Sequence, residues 1–232
     1  MNKPAPNDTI AYLSRHHGDT DLIAERVRRS FARRHDTAFW QFWQQWLLPV
    51  CGQPLKILDL GTGQGLFLQA LAERHEIQGI GVECAPYMLL HKLRIADCVI
   101  SEQDLNDPHI DTADNSLDVV MASMVLHELK QPFKVLLESW RCLKVGGRIC
   151  VIDLVRGRLE DYLKKRYSDA NGAFDLSASV TEFGDAFRHF MEHNQYTHED
   201  FVYLLKLCGF KVLHQEAINH GEMVRLVAEK II

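Results

Sequence analysis

Three stretches of this sequence carry groups able to do chemistry, and each ends an apolar run. "ILDLGTGQG" places Asp59 just before a turn containing Gly61, Thr62, Gly63 and Gly65. "GIGVE" ends in Glu83, and "ASMVLHEL" carries His127. A glycine turn between a strand and a helix lets bare backbone amides approach a ligand. Here the spacing is G-x-G-x-G, not the G-x-G-x-x-G of nicotinamide dinucleotide turns, and no Gly-Lys-Ser/Thr follows as in a phosphate loop. The carboxylate of Asp59 suits a cationic amino group better than a phosphate. An acid placed like Glu83 accepts hydrogen bonds from ribose hydroxyls. His127 is the candidate general base. Its "His-Glu" pair lacks the second histidine of a metalloprotease helix, so no metal is expected.

These groups need a scaffold that brings strand ends together. "LKILDLG", "IQGIGVE", "CVIS", "SLDVVMAS" and "GRICVIDLV" read as strands. They are separated by the helical runs "QGLFLQALAERH", "APYMLLHKLRIA" and "PFKVLLESWRCLK", the last ended by Gly146-Gly147. Near-continuous apolar strands alternating with helices predict a doubly wound, mostly parallel sheet covered on both faces. Its ligands lie at the carboxyl ends of the strands. "FKVLHQEAI" and "EMVRLVAEKII", joined by "NHG", predict a closing antiparallel hairpin. Thr197 and Asp200 predict a capping box on the preceding helix, and Gly209 its end.

Two segments flank this scaffold. Residues 1–50 read as a polar tail followed by two helices. The first, "TDLIAERVRRSFARRH", is capped by Asp19 or Thr20. The second, "DTAFWQFWQQWLLP", is capped by Asp36 and stopped by Pro49. Residues 51–232 read as the doubly wound domain, within which 156–196 is a segment of mixed character between the fifth strand and the last helix.

The chain has 232 residues, 47% hydrophobic and 25% charged, with a formal net charge of -5. The acidic balance disfavours a general nucleic-acid binder. The six cysteines form no C-x-x-C pair and read as free thiols of a reducing compartment. With neither a signal peptide nor a span of about 20 apolar residues in view, a cytoplasmic protein is expected, monomeric or homodimeric.

A ligand with a ribose and a cationic end, and no need for phosphate, describes S-adenosylmethionine. The order of "ILDLGTGQG", "GVECAPYML", "DNSLDVVMASMVLHEL", "LLESWRCLKVGGRICVIDL" and "YTHEDFVYLLKLCGF" resembles the class I S-adenosylmethionine-dependent methyltransferases. The likeness is to their small-molecule enzymes of the ubiquinone- and menaquinone-biosynthesis kind. It implies a seven-stranded Rossmann-like sheet and S-adenosylmethionine as cofactor. It also implies that 156–196 is a helical, substrate-covering insertion, whose Phe174, Phe183, Phe187 and Phe190 are expected to join the Trp-rich helix as a lid over an apolar or aromatic acceptor. By the same resemblance Gly61, Thr62, Gly63 and Gly65 cradle the methionine part, and Asp59 faces its amino group. Glu83 holds the ribose hydroxyls, and Cys84 and Met88 line the adenine. Asp104, followed by Leu105, accepts from the exocyclic amine. Met121, Ala122 and Ser123 pass beneath the methionine. Other readings are an RNA or protein methyltransferase gripping its substrate with Arg26, Arg28, Arg29, Arg33 and Arg34, and a non-catalytic binder of the cofactor.

Overall fold

The computed structural model describes residues 7–17, 20–169, 172–174, 177–193 and 196–232. Strands β1 (Leu55–Leu60), β2 (Ile77–Glu83), β3 (Cys98–Glu102), β4 (Leu117–Ser123), β5 (Leu143–Leu154), β6 (Phe210–Ile218) and β7 (Met223–Lys230) form one sheet. Its order is β3-β2-β1-β4-β5-β7-β6. The first five strands are parallel, and β7 inserts antiparallel between β5 and β6. The expected doubly wound sheet with a closing hairpin is therefore present. Successive residues of a strand face opposite sides. In β1 and β4 both sides are apolar: Leu58, Leu60, Val120 and Ala122 pack on one face, Leu55, Ile57, Val119 and Met121 on the other.

The first face is covered by α6 (Pro132–Cys142) and α9 (His198–Leu207), through Val135, Leu136, Phe201 and Leu205. The Thr197–Asp200 capping box is formed, and Gly209 takes φ +91° after α9. The second face is covered by α3 (Thr37–Trp46), capped by Asp36, and α4 (Leu66–Ala72). Phe39, Phe42 and Trp43 are buried there against Phe67 and Leu71, so the aromatic helix builds core.

Three local readings change. Part of the polar tail is helical: α1 spans Asn7–His17 and packs with α2 (Thr20–Arg34) over α5 (Pro86–Leu89). Residues 1–6 and Asp19 lie outside the described residues. The helix expected over 85–96 stops after Leu89. The chain turns back there, Leu93 N–H donates to the Gln64 carbonyl, and Ile95 packs beside the glycine turn while Leu90 is left 79% exposed. Gly146 and Gly147 do not end α6. That helix stops at Cys142, and the glycines lie within β5, where Gly147 runs too close to the Lys144 and Asp118 carbonyls for a side chain. The 156–196 segment holds α7 (Leu159–Tyr167) and α8 (Val180–His193).

Lys230 closes the far side of the sheet. It is 2% exposed, and its ammonium donates to Asn115 Oδ1 (2.7 Å), the Trp140 carbonyl (2.7 Å) and the Leu143 carbonyl (2.9 Å). The charge also sits 3.8 Å from the Trp140 ring centroid. Lys230→Met would bury those three acceptors unpartnered. The expected loss is about 3 kcal/mol, read by urea denaturation, since each orphaned group costs about 1–3 kcal/mol. A loss under about 0.5 kcal/mol would mean that the ammonium is replaceable by water.

Candidate active site

The carboxyl ends of β1, β2, β3 and β4 open into one cavity of about 290 Å³. The turn after β1 forms its floor. Gly61 and Gly63 have φ of +63° and +58°, a region that disfavours side chains. A Cβ on Gly61 would come within 2.7 Å of the Val125 side chain, whereas one on Gly63 would meet nothing within 4 Å. Gly63 thus presents bare backbone to open space, a cradle that any side chain would fill. Gly65 caps α4 away from the cavity, where a Cβ would press on Ile100.

Two carboxylates stand beside this floor. Asp59 Oδ2 accepts from the Thr62 hydroxyl (2.6 Å). Glu83 accepts from the N–H groups of Gly63 (3.0 Å), Cys84 (2.8 Å) and Ala85 (2.8 Å). Burial, offset in part by the Thr62 hydrogen bond and reinforced by Glu83, pushes Asp59 up to about 7. Burial likewise raises Glu83, against the pull of its three backbone donors. An acidic pair held this way is short of positive charge, which fits a cationic amino group and a ribose.

The raised Asp59 has a sign that can be checked. A carboxyl whose folded pKa lies above its ordinary 3.8 contributes stability that is full below that value. That contribution is lost as pH rises through about 7. Asp59→Asn should therefore melt higher than the parent at pH 8 without ligand, by about 3 °C or more at roughly 2–4 °C per kcal/mol. The gain should vanish at pH 4, and S-adenosylmethionine affinity should fall. A melting point at pH 8 equal to or below the parent's would show that Asp59 is not strained by its charge.

The other side of the cavity is built on His127. It is 2% exposed, in a single 3₁₀ turn (Leu126–Glu128) after β4. Its Nδ1 lies 2.5 Å from Asp153 Oδ1, at the end of β5. Asp153 is fully buried and held in place by main-chain donors. Leu154 N–H binds Oδ1 at 2.8 Å, while Leu126 (2.7 Å), Val125 (3.3 Å) and His127 (3.3 Å) donate to Oδ2. With Nδ1–H directed at the carboxylate, Nε2 of the neutral ring is left as the basic nitrogen. Burial works against the charged ring and Arg34 repels it, but the charge and hydrogen bond of Asp153, helped by Glu128, prevail and raise the His127 pKa.

The roof comes from α1 and α2. Leu13, Ile23, Val27 and Phe31 line it, together with Ser30, Arg34 and His35. Thr9 ties α1 to the strand ends through a 2.6 Å bond from its hydroxyl to Asp104 Oδ2. Burial lowers His35 to about 3, so the ring is neutral, and its Nδ1 donates to the Phe31 carbonyl at 3.1 Å.

Of the residues singled out in the sequence, Asp59, Gly61, Thr62, Gly63, Glu83, Cys84, Met88, Asp104, Leu105, Ser123 and His127 line this one cavity. Gly65, Met121 and Ala122 do not. Met121 and Ala122 are fully buried in β4, with side chains on opposite faces of the sheet. Among the described residues, the lining contains none of 156–193 and none of the tryptophans. Tyr162 bonds His189 Nδ1 at 3.1 Å, and Phe174 stacks on Phe183 with the Tyr167 ring tilted against both. Sequence reading missed Asp153 and the entire roof. Asp153 has a visible signal, an acid ending the apolar run "RICVIDL"; the roof has none.

The sheet order and the strand-end cavity define the fold of class I methyltransferases. Residues 58–151 match the family model for the methyltransferase domain. An arsenite methyltransferase of Halobacterium salinarum is 30% identical over 106 residues, 43% of this chain and 27% of that protein. The match thus spans about a quarter of that relative's length. An S-adenosylmethionine-dependent methyltransferase from Mesorhizobium loti superposes with a TM-score of 0.61 at 18% identity, covering 83% of this chain and 98% of that one. Phosphoethanolamine N-methyltransferase 2 of Haemonchus contortus, in complex with S-adenosyl-L-methionine, gives 0.64 at 16%, covering 97% of this chain and 60% of that one. At these identities the two structures share the fold.

Proposed function

We propose that the protein moves the methyl group of S-adenosylmethionine to a small acceptor held beneath α1 and α2. The observation that carries this reading is the sorting of charge within one cavity. Asp59, Glu83 and the open Gly63 backbone form one wall, and the His127–Asp153 pair forms another. The cofactor supplies an electrophilic methyl on a sulfonium. Gly61, Gly63, Asp59 and Glu83 orient it, and Asp104 and Met88 flank its base. His127 Nε2 receives the proton of an acceptor that arrives protonated, and Asp153, by taking the Nδ1 hydrogen, keeps Nε2 the basic nitrogen. The roof excludes water and aligns the acceptor, an effect worth roughly 7–11 kcal/mol in favourable cases.

A small acceptor is favoured because two helices close the cavity. An RNA-gripping role for α2 is disfavoured. Arg26 and Arg34 line the cavity, while Arg28 and Arg29 lie near Glu25 on the exposed face at 3.7 and 3.5 Å. Arsenite is a weak candidate, since a soft acceptor calls for thiolates. Cys84 alone of the six cysteines lines the cavity, and burial pushes its thiol up to about 12. No helix among the described residues is long and apolar enough to cross a membrane.

Calorimetry tests the cofactor. Saturable heat is expected with S-adenosylmethionine and with S-adenosylhomocysteine, and none with NAD. No heat with the first two would end this reading.

A further inference from the structure

We infer that Arg34, with the Ser30 and Ser123 hydroxyls, forms an anion-recognition subsite on the His127 side of the cavity, and that the methyl acceptor is a small acid. The inference rests on the methyltransferase reading above. Arg34 closes the last turn of α2 and lines the cavity. A guanidinium carries five N–H donors. Among the described residues its one hydrogen bond runs from Nη1 to Ser30 Oγ, and its Nε has neither a protein partner nor contact with solvent. Ser123 Oγ, also lining the cavity, is buried and unpartnered. Burial lowers Arg34 to about 10. A partly desolvated cation with no hydrogen-bonded anion is unfavourable, and a ligand carboxylate would relieve it through two parallel N–H···O bonds.

The position of the charge separates acceptor from cofactor. Arg34 is attracted by Asp153 and repels a charged His127, which sets the guanidinium on the His127 side. Asp153 attracts Arg34 through space but makes no hydrogen bond to it, because both carboxylate oxygens are engaged by the His127 ring and four backbone N–H groups. Glu128 also lines this side, its Oε1 3.8 Å from His127 Nε2, so Arg34 is not the only charge there. In the transfer, the acceptor's nucleophilic atom forms the new bond to the methyl carbon while the carbon–sulfur bond breaks and its electron pair stays on sulfur. The acceptor's proton passes to His127 Nε2, and Arg34 holds the acid group unchanged.

The test uses benzoate and its neutral isostere benzamide as probes, titrated by calorimetry into the full chain saturated with S-adenosylhomocysteine. Benzoate should bind the parent at least about tenfold more tightly than benzamide. Arg34→Gln should erase that preference, and Arg34→Lys should keep part of it; melting curves of both variants report folding. S-adenosylhomocysteine affinity should change less than about twofold in either. Equal binding of the two probes to the parent would overturn the proposal. So would a loss of S-adenosylhomocysteine binding in Arg34→Gln with 5′-methylthioadenosine binding intact, since Arg34 would then hold the cofactor's own carboxylate. Failure of the parent to bind S-adenosylhomocysteine would sink the cofactor reading alone, because benzoate titrated into the ligand-free protein still reads Arg34.

Discussion

Glu83→Gln is expected to weaken S-adenosylmethionine binding by about a hundredfold or more. Two effects combine. The variant loses the negative charge that would receive both ribose hydroxyls, and hydrogen bonds to a charged group are worth about 1.5–3 kcal/mol each. It also damages the turn. Glu83 Oε1 accepts from Cys84 and Ala85, and Oε2 accepts from Gly63. A glutamine keeps the two-donor side only by aiming its amide NH₂ at the Gly63 N–H. Donor then faces donor, and the bare backbone that cradles the ligand is pushed aside. S-adenosylhomocysteine and 5′-methylthioadenosine both carry the ribose, so both should lose affinity together in calorimetry. A change of less than about threefold for either would remove Glu83 from the cofactor site.

Asp153→Asn should lower turnover by roughly 10²–10⁴-fold, the usual range for a lost general base, with cofactor affinity changed by less than about threefold. The reason is the tautomer. If the new NH₂ replaces Oδ2, it opposes three backbone donors. If it replaces Oδ1, it opposes the Leu154 N–H and the imidazole Nδ1–H. In the second arrangement His127 escapes only by moving its proton to Nε2, which leaves no base toward the cavity. Turnover of the parent should rise with pH through the raised His127 pKa, and that limb should move to lower pH or vanish in the variant. Stability follows the same linkage. A histidine raised above its ordinary 6.5 contributes stability fully below that value and loses it as pH rises through its folded pKa. Asp153→Asn should flatten that slope in melting curves. If turnover and cofactor affinity fell together, His127 would be a packing residue.

The sheet was legible because its information is local. β1, β2 and β4 are short apolar runs ended by turn residues, and the Thr197–Asp200 box and the Gly209 stop are spelled within a few residues. Errors fell where a distant contact overrode a local pattern. The run after Pro86 has helical spacing, yet the Gln64 carbonyl and the pocket around the glycine turn draw Leu93 and Ile95 out of the helix.

By itself the sequence determined the strands, the turn chemistry and the acids at the strand ends, because the residues that make each lie side by side in the chain. Tertiary structure alone decided which groups share the cavity with them. His127 and Asp153 are 26 residues apart and meet only because β4 and β5 are adjacent. Arg34 reads as one more charge on a basic helix. It faces the cavity only because α2 packs its apolar side over α5 and the strand ends, a choice made by burial across the whole molecule.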